Sequence, residues 1–396
     1  MGENKPIKIR LIMVSGDFPP RISGVGDYAW HIARTASVMG AAVTVITTKN
    51  QYAQESFPND NLDIRPIMDM WQFNEAKKLF RILDESDDRS IVNIQYNCPF
   101  TYGRRLLINF LPAMIRTFYP KIKVVVTMHG FWEQSLKFRL RALPMMRAAH
   151  GVIYVDRLNK MMIKKYSGLP ENRLMFIPIA GNILPIPCTT ELRNTWRREL
   201  QLKDTDTAIA FFGGIGRNKG FEYLIEALEI ARNRKRMQVI VLAIGGFHSD
   251  VMGNSYQTEI TNLINKLGMD KYVRILESLN SKDVSKYLHA ADIAVYPFLN
   301  GVGENSGSML AALAHGLPTI ITKGPANDSS FTDRLGVFMV PSKNAEELAN
   351  VIEKIIVTPA MQQTMRDKAI EVSNILSWDY VTSTSMKLFM ALSNIP

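Results

Sequence analysis

Short apolar runs alternate with stretches of helical periodicity along the whole chain. In the first half, strands are predicted at Ile9 to Val14, Ala42 to Thr47, Ile91 to Gln95, Lys123 to Met128 and Gly151 to Val155. In the second half, they are predicted at Ala208 to Phe212, Gln238 to Ile244, Val273 to Leu276, Ile293 to Phe298, Thr319 to Thr322 and Val337 to Met339. Apolar runs without polar alternation are typical of strands buried on both faces of a parallel sheet. The alternation of strands with helices therefore predicts an α/β fold of doubly wound parallel sheets.

The length of the chain predicts two domains. A chain of 396 residues is too long for one ordinary hydrophobic core. Residues 175–190 contain three prolines and a glycine without helical periodicity, which indicates a linker. We therefore expect an N-terminal domain at 1–185 and a C-terminal domain at 186–377. An apolar helix at 378–396 follows the last strand, and it can cross back onto the first domain.

One crossover between strands has the features of a ligand site. After the strand that begins at Ile293, a glycine-rich loop leads to a helix opened by Ser306 and Gly307, and this helix ends at Gly316. The first amides of a helix have no partner within it, and the helix dipole places positive charge beside them. This crossover therefore predicts a phosphate-binding site.

Two further strand–loop–helix units carry glycine-rich loops. One loop holds Gly213, Gly214 and Gly216 and ends at the basic residues Arg217 and Lys219; the other, SGDFPPRISGVGDY, precedes a helix predicted from Ala29 to Met39. Neither loop has the GxGxxG spacing of a dinucleotide site or the GK[ST] ending of a P-loop. An NAD-dependent dehydrogenase is therefore disfavoured, and backbone amides with Arg217 and Lys219 are expected to hold a diphosphate.

Three side chains are candidates for chemistry. Lys219 lies at the exit of a glycine-rich loop, although a solvated surface lysine is the alternative. His129 directly follows a predicted strand, where ligands collect in parallel sheets; its ring can form hydrogen bonds or act as an acid or base, and a structural histidine is the alternative. Glu304 lies two residues before Ser306, where its carboxylate can accept hydrogen bonds from sugar hydroxyls or can simply be a solvated loop acid.

The positive charge of the chain is concentrated in its first half. Residues 1–185 hold 25 Lys and Arg against 15 Asp and Glu, whereas residues 186–396 hold 22 of each kind. This asymmetry predicts an anionic partner for the first half, such as a membrane surface or a phosphorylated acceptor, and no nucleic-acid module is recognised. The segment Phe131 to Arg147 interleaves apolar and basic residues, so it is expected either to lie on an anionic bilayer or to pack as an ordinary amphipathic helix.

Metal sites, disulfides and membrane spans are not predicted. Asp204 and Asp206 form a DxD pattern, but they precede a strand and so lie at the wrong edge of the sheet for a ligand. Cys98 and Cys188 fall in different predicted domains, which indicates a reducing compartment. No apolar stretch reaches the roughly 18 to 20 residues that a membrane span needs. We therefore expect a cytoplasmic protein, with peripheral attachment to the inner face of a membrane as an option.

Together these patterns resemble the retaining, nucleotide-sugar-dependent glycosyltransferases of family 4 (glycosyl transferases group 1). The resemblance rests on PPRISGVGDYAWHIA with Gly24 and Gly26, on MHG with His129, on FFGGIGRNKG with Lys219, and on ADIAVYPF followed by ALAHGLPTI. It implies the GT-B fold, in which two Rossmann-like domains face each other across a cleft. It also implies transfer of a sugar with retention and without a bound metal or other cofactor, from a nucleoside-diphosphate sugar, with a UDP-sugar expected.

The resemblance also assigns site residues. His129, Lys219 and Glu304 are the implied catalytic residues. The implied donor-binding set is Gly24, Gly26, Gly214, Arg217, Lys219, Ser278, Leu279, Glu304, Asn305, Ser306, Gly307 and Ser308. Gly214 stands where the family has an arginine, with Arg217 as a substitute, and Ala311 stands where the family has its second glutamate. The acceptor, a saccharide or a lipid-linked oligosaccharide, is expected on the basic N-terminal domain.

Two other functions remain open at this point. A nucleotide-sugar epimerase on the same fold would need an acid–base set around the sugar and no acceptor. A protein that kept the fold and binds nucleotide sugars without turnover is suggested by Gly214 and Ala311. Product analysis distinguishes an epimerase from a transferase. Binding of a nucleotide sugar without turnover identifies the binding protein.

Overall fold

The chain folds into two compact units. The computed structural model describes residues 9–21, 23–49, 61–87, 89–97, 101–103, 105–247, 255–277, 279–325, 327 and 331–393. Unit 1 consists of Met1–Ile179 and Ser377–Pro396, and unit 2 consists of Ala180–Leu376. The division between Ile179 and Ala180 falls within residues 175–190, which the prolines and glycine indicate as a linker.

Unit 1 is built on one parallel sheet. Its strands are β1 (Arg10–Ser15), β2 (Ala42–Thr48), β3 (Leu62–Met68), β4 (Ser90–Tyr96), β5 (Lys123–Met128), β6 (Gly151–Tyr154) and β7 (Leu174–Phe176). Its helices before the linker are α1 (Gly24–Val38), α2 (Ala76–Asp84), α3 (Leu107–Phe118), α4 (Leu136–Ala148) and α5 (Arg157–Ser167). Among the described residues the strand order is β3-β2-β1-β4-β5-β6-β7. Helices follow β1, β3, β4, β5 and β6, because parallel strands cannot be joined by a tight hairpin.

Unit 2 repeats this architecture. Its strands are β8 (Thr207–Phe212), β9 (Val239–Ile244), β10 (Val273–Leu276), β11 (Ile293–Tyr296), β12 (Thr319–Thr322) and β13 (Phe338–Val340). Its helices are α6 (Thr190–Glu199), α7 (Phe221–Glu229), α8 (Ser255–Leu267), α9 (Ser281–Ala290), α10 (Gly307–Ala314), α11 (Phe331–Leu335), α12 (Ala345–Val357) and α13 (Pro359–Ile375). The described strands pair in the order β10-β9-β8-β11-β12-β13. The prediction of two doubly wound parallel sheets is confirmed.

The last helix, α14 (Trp378–Leu392), belongs to unit 1. Its first residue, Trp378, stacks on His31 of α1 with ring centroids 4.4 Å apart, and it meets the edge of Tyr28 at 5.5 Å. Val381 and Phe389 of the same helix are fully buried. This apolar face holds the end of the chain against α1, which explains why the helix follows the sheet of unit 2 in sequence but packs on the other unit.

Strands β3 and β7 were not predicted from the sequence. β3 reads LDIRPIM, and its Asp, Arg and Pro break the apolar run that identifies the other strands. It lies at the sheet edge, where a proline costs no ladder hydrogen bond on the open side. β7 has only three residues and lies at the opposite edge. Both strands form because a neighbouring strand already presents unpaired backbone groups.

Helix α1 begins earlier than predicted. The sequence places its start at Ala29, whereas the structure starts it at Gly24, with the Ser23 hydroxyl accepting a hydrogen bond from the amide of Gly26. A β-carbon at Gly26 would lie 3.2 to 3.3 Å from the backbone of Asp17 and Phe18. The glycine therefore allows close packing of the first turn on the preceding loop, and Gly24 and Gly26 lie in the helix rather than in a loop.

Candidate functional site

In both units the strand order reverses at one point, and ligands collect there in open α/β sheets. In unit 2 the reversal lies between β8 and β11, and in unit 1 it lies between β1 and β4. The loops that leave β8 and β11 are the two glycine-rich loops of unit 2 identified from the sequence. The fold therefore places these two loops side by side at one crevice.

The two loops of unit 2 pack backbone against backbone. Gly220 has a positive φ of 61°, and a β-carbon there would lie only 2.1 Å from the carbonyl oxygen of Pro297. Gly213 also has a positive φ, and a β-carbon there would lie 3.8 Å from the side chain of Ser308. Glycine is required at Gly220 because any side chain would collide with the chain leaving β11. The β8 loop is thus held against both the β11 exit and the start of α10.

The amino end of α10 is fixed from two sides. Ser306 caps the helix, with its hydroxyl accepting a hydrogen bond from the amide of Met309. The buried Tyr296 of β11 donates its hydroxyl proton to the carbonyl of Ser308 at 2.7 Å. The hydroxyls of Ser306 and Ser308 lie 3.3 Å apart. The amides of Gly307 and Ser308 precede the first intrahelical donor, Leu310, so they are oriented for an anion.

Lys219 lies beside the chain that leaves β11. It ends a short 3-10 turn, Arg217–Lys219, and its ammonium lies 3.7 Å from the centroid of the Phe298 ring, just beyond β11. Burial lowers the pKa of Lys219 to about 8. A lysine that is partly stripped of water gains strongly from an anionic ligand, because the anion restores the lost stabilisation of its charge.

Arg217 is engaged on the surface of unit 2. Its guanidinium forms two hydrogen bonds with the carboxylate of Glu259, at 2.6 and 2.8 Å, and a third with the hydroxyl of Ser255. About half of the Arg217 side chain is exposed. To reach a diphosphate it would have to leave this ion pair, so its predicted role as a second cation at the site stays a prediction.

Glu304 is held by an ion pair with Arg334 of α11. Its side chain is only 12% exposed. The interpretation of Glu304 as a solvated loop acid is therefore wrong, because the carboxylate is largely shielded from solvent and paired. Asn305 follows it in the same turn, directly before the cap residue Ser306. The pairing fixes the loop between β11 and α10 and leaves the predicted contact with a sugar as a prediction.

The other predicted donor-binding residues lie in neighbouring loops. Gly214 lies in the β8 loop, and Leu279 lies half-buried in the loop after β10, one residue before the cap of α9. Ser278 lies outside the described residues. β10 and β11 are separated by β9 and β8 in the sheet order, so Leu279 marks the far side of the crevice from the helix start.

In unit 1, His129 follows β5 and is buried. Its Nε2 atom lies 2.8 Å from Oε1 of Gln95, and its ring meets the edge of Tyr28 with centroids 4.7 Å apart. Burial lowers the pKa of His129 to about 3, so the ring is neutral at pH 7. A neutral ring favours hydrogen bonding as the chemistry of His129, and its acid–base role stays a prediction.

The sequence analysis missed the polar residues that surround His129. Asn93 and Gln95 lie on β4, Thr127 lies on β5, and all three are at most 2% exposed. A signal was present in the sequence: Asn93 and Gln95 occur two residues apart in an otherwise apolar strand, so they share one face. Tyr28 was assigned only to the loop before α1, although it packs between His129 and Trp378.

A pocket opens at the carboxyl edge of β1 and β2 in unit 1. Its volume is about 410 Å³, and it is lined by Gly16, Phe18, Pro20, Arg21, Thr47, Thr48 and Lys49. Arg21 pairs with Asp17 at 3.0 Å, and Lys49 pairs with Asp69 at 2.9 Å. The pocket thus combines hydroxyl groups and cations, the chemistry that a hydroxylated or anionic ligand needs.

Helix α4 differs from the predicted basic surface. Arg139, Arg141 and Arg147 all donate hydrogen bonds to backbone carbonyls of unit 1, including those of Phe131, Gly103 and Ser167. Their guanidinium groups hold α4 to its neighbours. Phe131 is buried, and Phe138 and Leu143 pack against the core. The exposed apolar residues on this helix are Leu136 and Leu140, so the ordinary amphipathic packing accounts for most of the pattern.

Within the described ranges, no group of three or more His, Cys, Asp or Glu side chains is arranged to hold a metal ion. Among the same residues, no helix is both long and apolar enough to cross a membrane.

Comparison with known proteins finds a family match within unit 2. Residues 193–372 match the model of the family described as Glycosyl transferases group 1. A D-inositol 3-phosphate glycosyltransferase of Corynebacterium aurimucosum is 25% identical over 231 residues, which cover 57% of this chain and 53% of that protein. The chain spans about half the length of the curated relatives it matches. The resemblance inferred from the sequence motifs is confirmed.

Solved structures share the fold along nearly the whole chain. A glycosyltransferase from Rickettsia africae ESF-5 aligns with a TM-score of 0.77 at 16% identity, covering 97% of this chain and 98% of that one. The Anabaena protein Alr3699/HepE, in complex with UDP and glucose, aligns with a TM-score of 0.72 at 15% identity, covering 97% and 100%. At such identities the similarity establishes the fold alone, and the predicted GT-B class is confirmed.

Proposed function

Because residues 193–372 match the model of the glycosyl transferases group 1, we propose that this chain is a retaining hexosyltransferase. It moves a sugar from a nucleoside diphosphate to a hydroxyl group of a saccharide or lipid-linked acceptor, in polysaccharide or glycoconjugate synthesis. A UDP-sugar is the expected donor, and no metal ion is required. The observation that carries the proposal is the crevice between β8 and β11, where the amino end of α10 meets the β8 loop that ends at Lys219. The Anabaena structure, which holds UDP and glucose, supports a UDP-sugar as the donor class.

The positive charge in this crevice can stabilise the leaving diphosphate. In sugar transfer, negative charge develops on the diphosphate as its bond to the anomeric carbon breaks. The amides of Gly307 and Ser308 and the ammonium of Lys219 supply fixed positive charge at this point. Each preorganised donor of this kind is worth roughly 3 to 4 kcal/mol in other enzymes. Lys219 and the helix start therefore perform the charge neutralisation that a metal ion supplies in other transferases.

The sugar and the acceptor are assigned to unit 1. His129 contacts the sugar of the donor through a hydrogen bond, since its ring is neutral. The acceptor binds at the pocket formed by Gly16, Arg21 and Thr47 to Lys49. Hydroxyl and cationic side chains in that pocket suit a saccharide, or a saccharide joined to phosphate. Gly24 and Gly26, in the first turn of α1, add amides near the same loop.

Donor binding is tested first by thermal unfolding. UDP, GDP, ADP and their common sugar conjugates are added with and without magnesium. At one hundred times its dissociation constant, a ligand of the native state adds about 2.7 kcal/mol, which is several degrees for a chain of this size. We expect a shift with UDP and its sugar conjugates that does not depend on magnesium. No shift with any nucleotide would reject the donor site.

Turnover and product analysis then separate the alternatives. We expect release of nucleoside diphosphate only when an acceptor is supplied, with the anomeric configuration of the donor kept in the product. An altered sugar still attached to the nucleotide identifies an epimerase. Binding without any product identifies a protein that has lost turnover, an alternative favoured by the engagement of Arg217 with Glu259 and of Glu304 with Arg334.

Peripheral membrane contact is part of the proposal and rests on two exposed leucines. Leu136 and Leu140 lie one turn apart on α4, with the exposed Lys137 between them. Sedimentation with vesicles containing anionic lipid is expected to capture the protein at low salt, and Leu136→Ser with Leu140→Ser is expected to reduce capture. A matched change at Met161 of α5, which is also exposed, serves as the control. If the two α4 substitutions leave vesicle capture unchanged, α4 does not contact the membrane.

A further inference from the structure

A pair of histidines in unit 2 takes no part in the proposed reaction. His315 directly follows α10 and is 9% exposed, at the end of that helix opposite to its cap Ser306. His289 lies in the last turn of α9, and its ring meets that of His315 with centroids 4.7 Å apart. His289 also stacks on Trp196 of α6 at 5.9 Å. The three helices α6, α9 and α10 thus meet at two titratable rings.

The segment before α6 binds to these helices through the backbone of Ile186. Pro185 and Pro187 flank this residue, and a proline that follows a residue favours extended backbone there, so Ile186 belongs to no helix. Its amide donates a hydrogen bond to Oγ of Ser285 at 3.0 Å, and its carbonyl oxygen lies 3.0 Å from Nε2 of His289. Ser285 and His289 are four residues apart on α9, so one helix face binds both polar groups of Ile186.

A second contact holds the same segment on α10. A β-carbon at Gly181 would lie 2.9 Å from the backbone nitrogen and Cα of Ala311, in the middle of that helix. A residue without a side chain is needed where a chain packs this closely on a helix backbone. The carbonyl oxygen of the same Ala311 lies 2.7 Å from Nδ1 of His315. The segment from Gly181 to Ile186 is therefore fixed to unit 2 at both of its ends.

Two carbonyl oxygens determine which ring nitrogens carry protons. Since the Ala311 carbonyl can only accept, Nδ1 of His315 carries a proton and donates it. Burial lowers the pKa of His315 to about 4, so the ring is neutral at pH 7 and its Nε2 bears a lone pair. Nε2 accepts the hydroxyl proton of Ser285 at 2.7 Å, which leaves the Ser285 oxygen to accept from Ile186. By the same rule, His289 carries its proton on Nε2, which faces the Ile186 carbonyl.

We infer that Ser285, His289 and His315 form an acid-sensitive latch that holds the Ile186 peptide on unit 2. With both rings neutral, each hydrogen bond of the latch joins one donor to one acceptor. A second proton on His315 can only go to Nε2, where it meets the hydroxyl proton of Ser285 and breaks that hydrogen bond. A second proton on His289 places a charge beside the His315 ring. Acid therefore acts against the closed latch at both histidines.

The charged groups on the neighbouring elements also oppose protonation. Burial lowers the pKa of His289, and the charge of Arg193 on α6 lowers it further. Arg193 donates from Nε to the carbonyl of His289 at 3.0 Å. The carboxylate of Asp292 is shared between Arg193 at 2.6 Å and Arg197 at 3.1 Å, and Arg366 of α13 donates to the Asp292 carbonyl at 3.2 Å. Three arginines thus share one carboxylate, and their excess positive charge adds to the cost of a proton on either ring.

The direction of the pH dependence follows from the lowered pKa values. When Ile186 detaches, the two rings reach water and their pKa values return to about 6.5. Because the closed latch has the lower pKa values, opening takes up protons and becomes easier as the pH falls. The latch has its full strength above about pH 6.5 and weakens toward pH 4, where His315 becomes protonated even in the closed form. Each histidine increases the opening constant by up to about tenfold per pH unit in this range.

The assigned protons are tested by NMR without any ligand. The full chain is labelled with ¹⁵N on histidine, and a two-bond ¹H–¹⁵N correlation spectrum reports which ring nitrogens are protonated. The chain has six histidines, and the spectra of His289→Gln and His315→Gln identify the signals of the pair. At pH 7.5 we expect opposite tautomers, with Nδ1 protonated in His315 and Nε2 protonated in His289. The same tautomer in both rings overturns the latch.

Hydrogen exchange at Ile186 measures the opening of the latch. Pro185 and Pro187 have no amide proton, so Ile186 is the exchanging site among these three residues. From pH 7 to pH 5, we expect its protection, corrected for the intrinsic exchange rate, to fall at least about tenfold. Ser285→Ala removes the acceptor of this amide and is expected to lower its protection about tenfold at pH 7.5. Protection in the wild-type chain that stays constant between pH 7 and pH 5 overturns the acid sensitivity.

A double variant and a matched control assign the pH dependence to the histidine pair. Glutamine forms hydrogen bonds but does not titrate, so His289→Gln combined with His315→Gln is expected to keep Ile186 protected and to lose the pH dependence. His150 of unit 1 is the control, because burial also lowers its pKa to about 4. His150→Gln is expected to leave the protection of Ile186 and its pH dependence unchanged. A pH dependence that persists in the folded double variant, or that disappears in His150→Gln, overturns the role of the pair.

Discussion

Unit 1 buries polar side chains in the middle of its sheet, whereas unit 2 places them at the two ends of its strands. In unit 1, Asn93 and Gln95 lie inside β4 and lead to His129 at the strand ends. In unit 2, Asp292 precedes β11, and Lys219 lies beyond β8. The interior residues of β9 and β11, VIVLAI and IAVY, have only the Tyr296 hydroxyl as a side-chain polar group.

This difference separates two ways of preparing a binding site. Unit 2 relies on backbone amides and one lysine, so its geometry follows from strand order and from glycines that allow loops to approach. Unit 1 relies on a chain of side-chain hydrogen bonds, so its geometry depends on each member of the chain. Interior networks of this kind are rigid when complete and costly when one member is missing. The five predictions below test this contrast.

The largest effect on stability is expected at the amino edge of the unit 2 sheet. Asp292 accepts hydrogen bonds from Arg193 at 2.6 Å, from Arg197 at 3.1 Å and from the amide of Ala208 at 2.8 Å. Asp292→Ala is expected to cost about 3 kcal/mol, because it leaves the buried Arg197 without its carboxylate. Hydrogen exchange of β8 and β11 amides measures the loss, with the exposed Asp204→Ala as control. A loss below about 1 kcal/mol would show that edge charges contribute little.

The interior of unit 1 is tested by Asn93→Leu. This change removes the acceptor of Gln95 Nε2 and is expected to cost about 1 to 3 kcal/mol, the penalty of a buried donor without a partner. Hydrogen exchange of β4 and β5 reports unit 1 separately from unit 2. Thr127→Val is expected to cost less, because Asn93 keeps the Val125 carbonyl. Equal costs for the two variants would show that the hydrogen bond from Gln95 to Asn93 adds nothing to the stability of unit 1.

The ligand site of unit 2 is tested by Lys219→Ala. Turnover is expected to fall at least tenfold, about 1.4 kcal/mol, because the leaving diphosphate loses its cation. Lys266→Ala on the exposed face of α8 is the matched control, and it is expected to leave turnover unchanged. Circular dichroism checks that both variants fold. Near-normal turnover by a folded Lys219→Ala enzyme would show that Lys219 does not stabilise the leaving diphosphate.

The pH dependence of nucleotide binding gives a smaller effect from the same residue. Below pH 8 most of the Lys219 side chains are already protonated when the ligand binds, since the pKa of Lys219 is about 8. Above pH 8 an anionic ligand raises that pKa, so binding takes up a proton and the dissociation constant increases by up to tenfold per pH unit. Calorimetric titrations of UDP from pH 7 to 9.5 measure this slope. The slope is expected to disappear in Lys219→Ala, and a slope that persists there belongs to another group.

The smallest effect is expected at Arg217. Its ion pair with Glu259 is about half exposed, and exposed pairs contribute about 0 to 1 kcal/mol. Arg217→Ala is therefore expected to change stability by less than about 1 kcal/mol and to weaken UDP binding less than Lys219→Ala does. Chemical denaturation and calorimetry measure the two quantities. A larger loss of UDP affinity than in Lys219→Ala would mean that Arg217 leaves Glu259 to bind the diphosphate.

The alternating apolar runs were sufficient to predict the two sheets and most of their strands. Buried parallel strands are apolar at every position, and this pattern is local, so it can be read in a single segment such as Lys123–Met128. The glycine-rich loops, Lys219 and the start of α10 were equally evident, because their chemistry depends on residues adjacent in the chain. Strands β3 and β7 were not evident, since they form by pairing at sheet edges and carry no strong pattern of their own.

The partners of long side chains depended on contacts between segments far apart in sequence. Glu304 meets Arg334, Arg217 meets Glu259, and His129 meets Gln95, across 30, 42 and 34 positions. The sequence determines that a histidine follows β5, because that is a local fact of strand and loop. The tertiary structure alone places the buried amide of Gln95 against its ring. Hydrogen bonds join groups that are close in space, whereas a residue pattern reports only groups that are close along the chain.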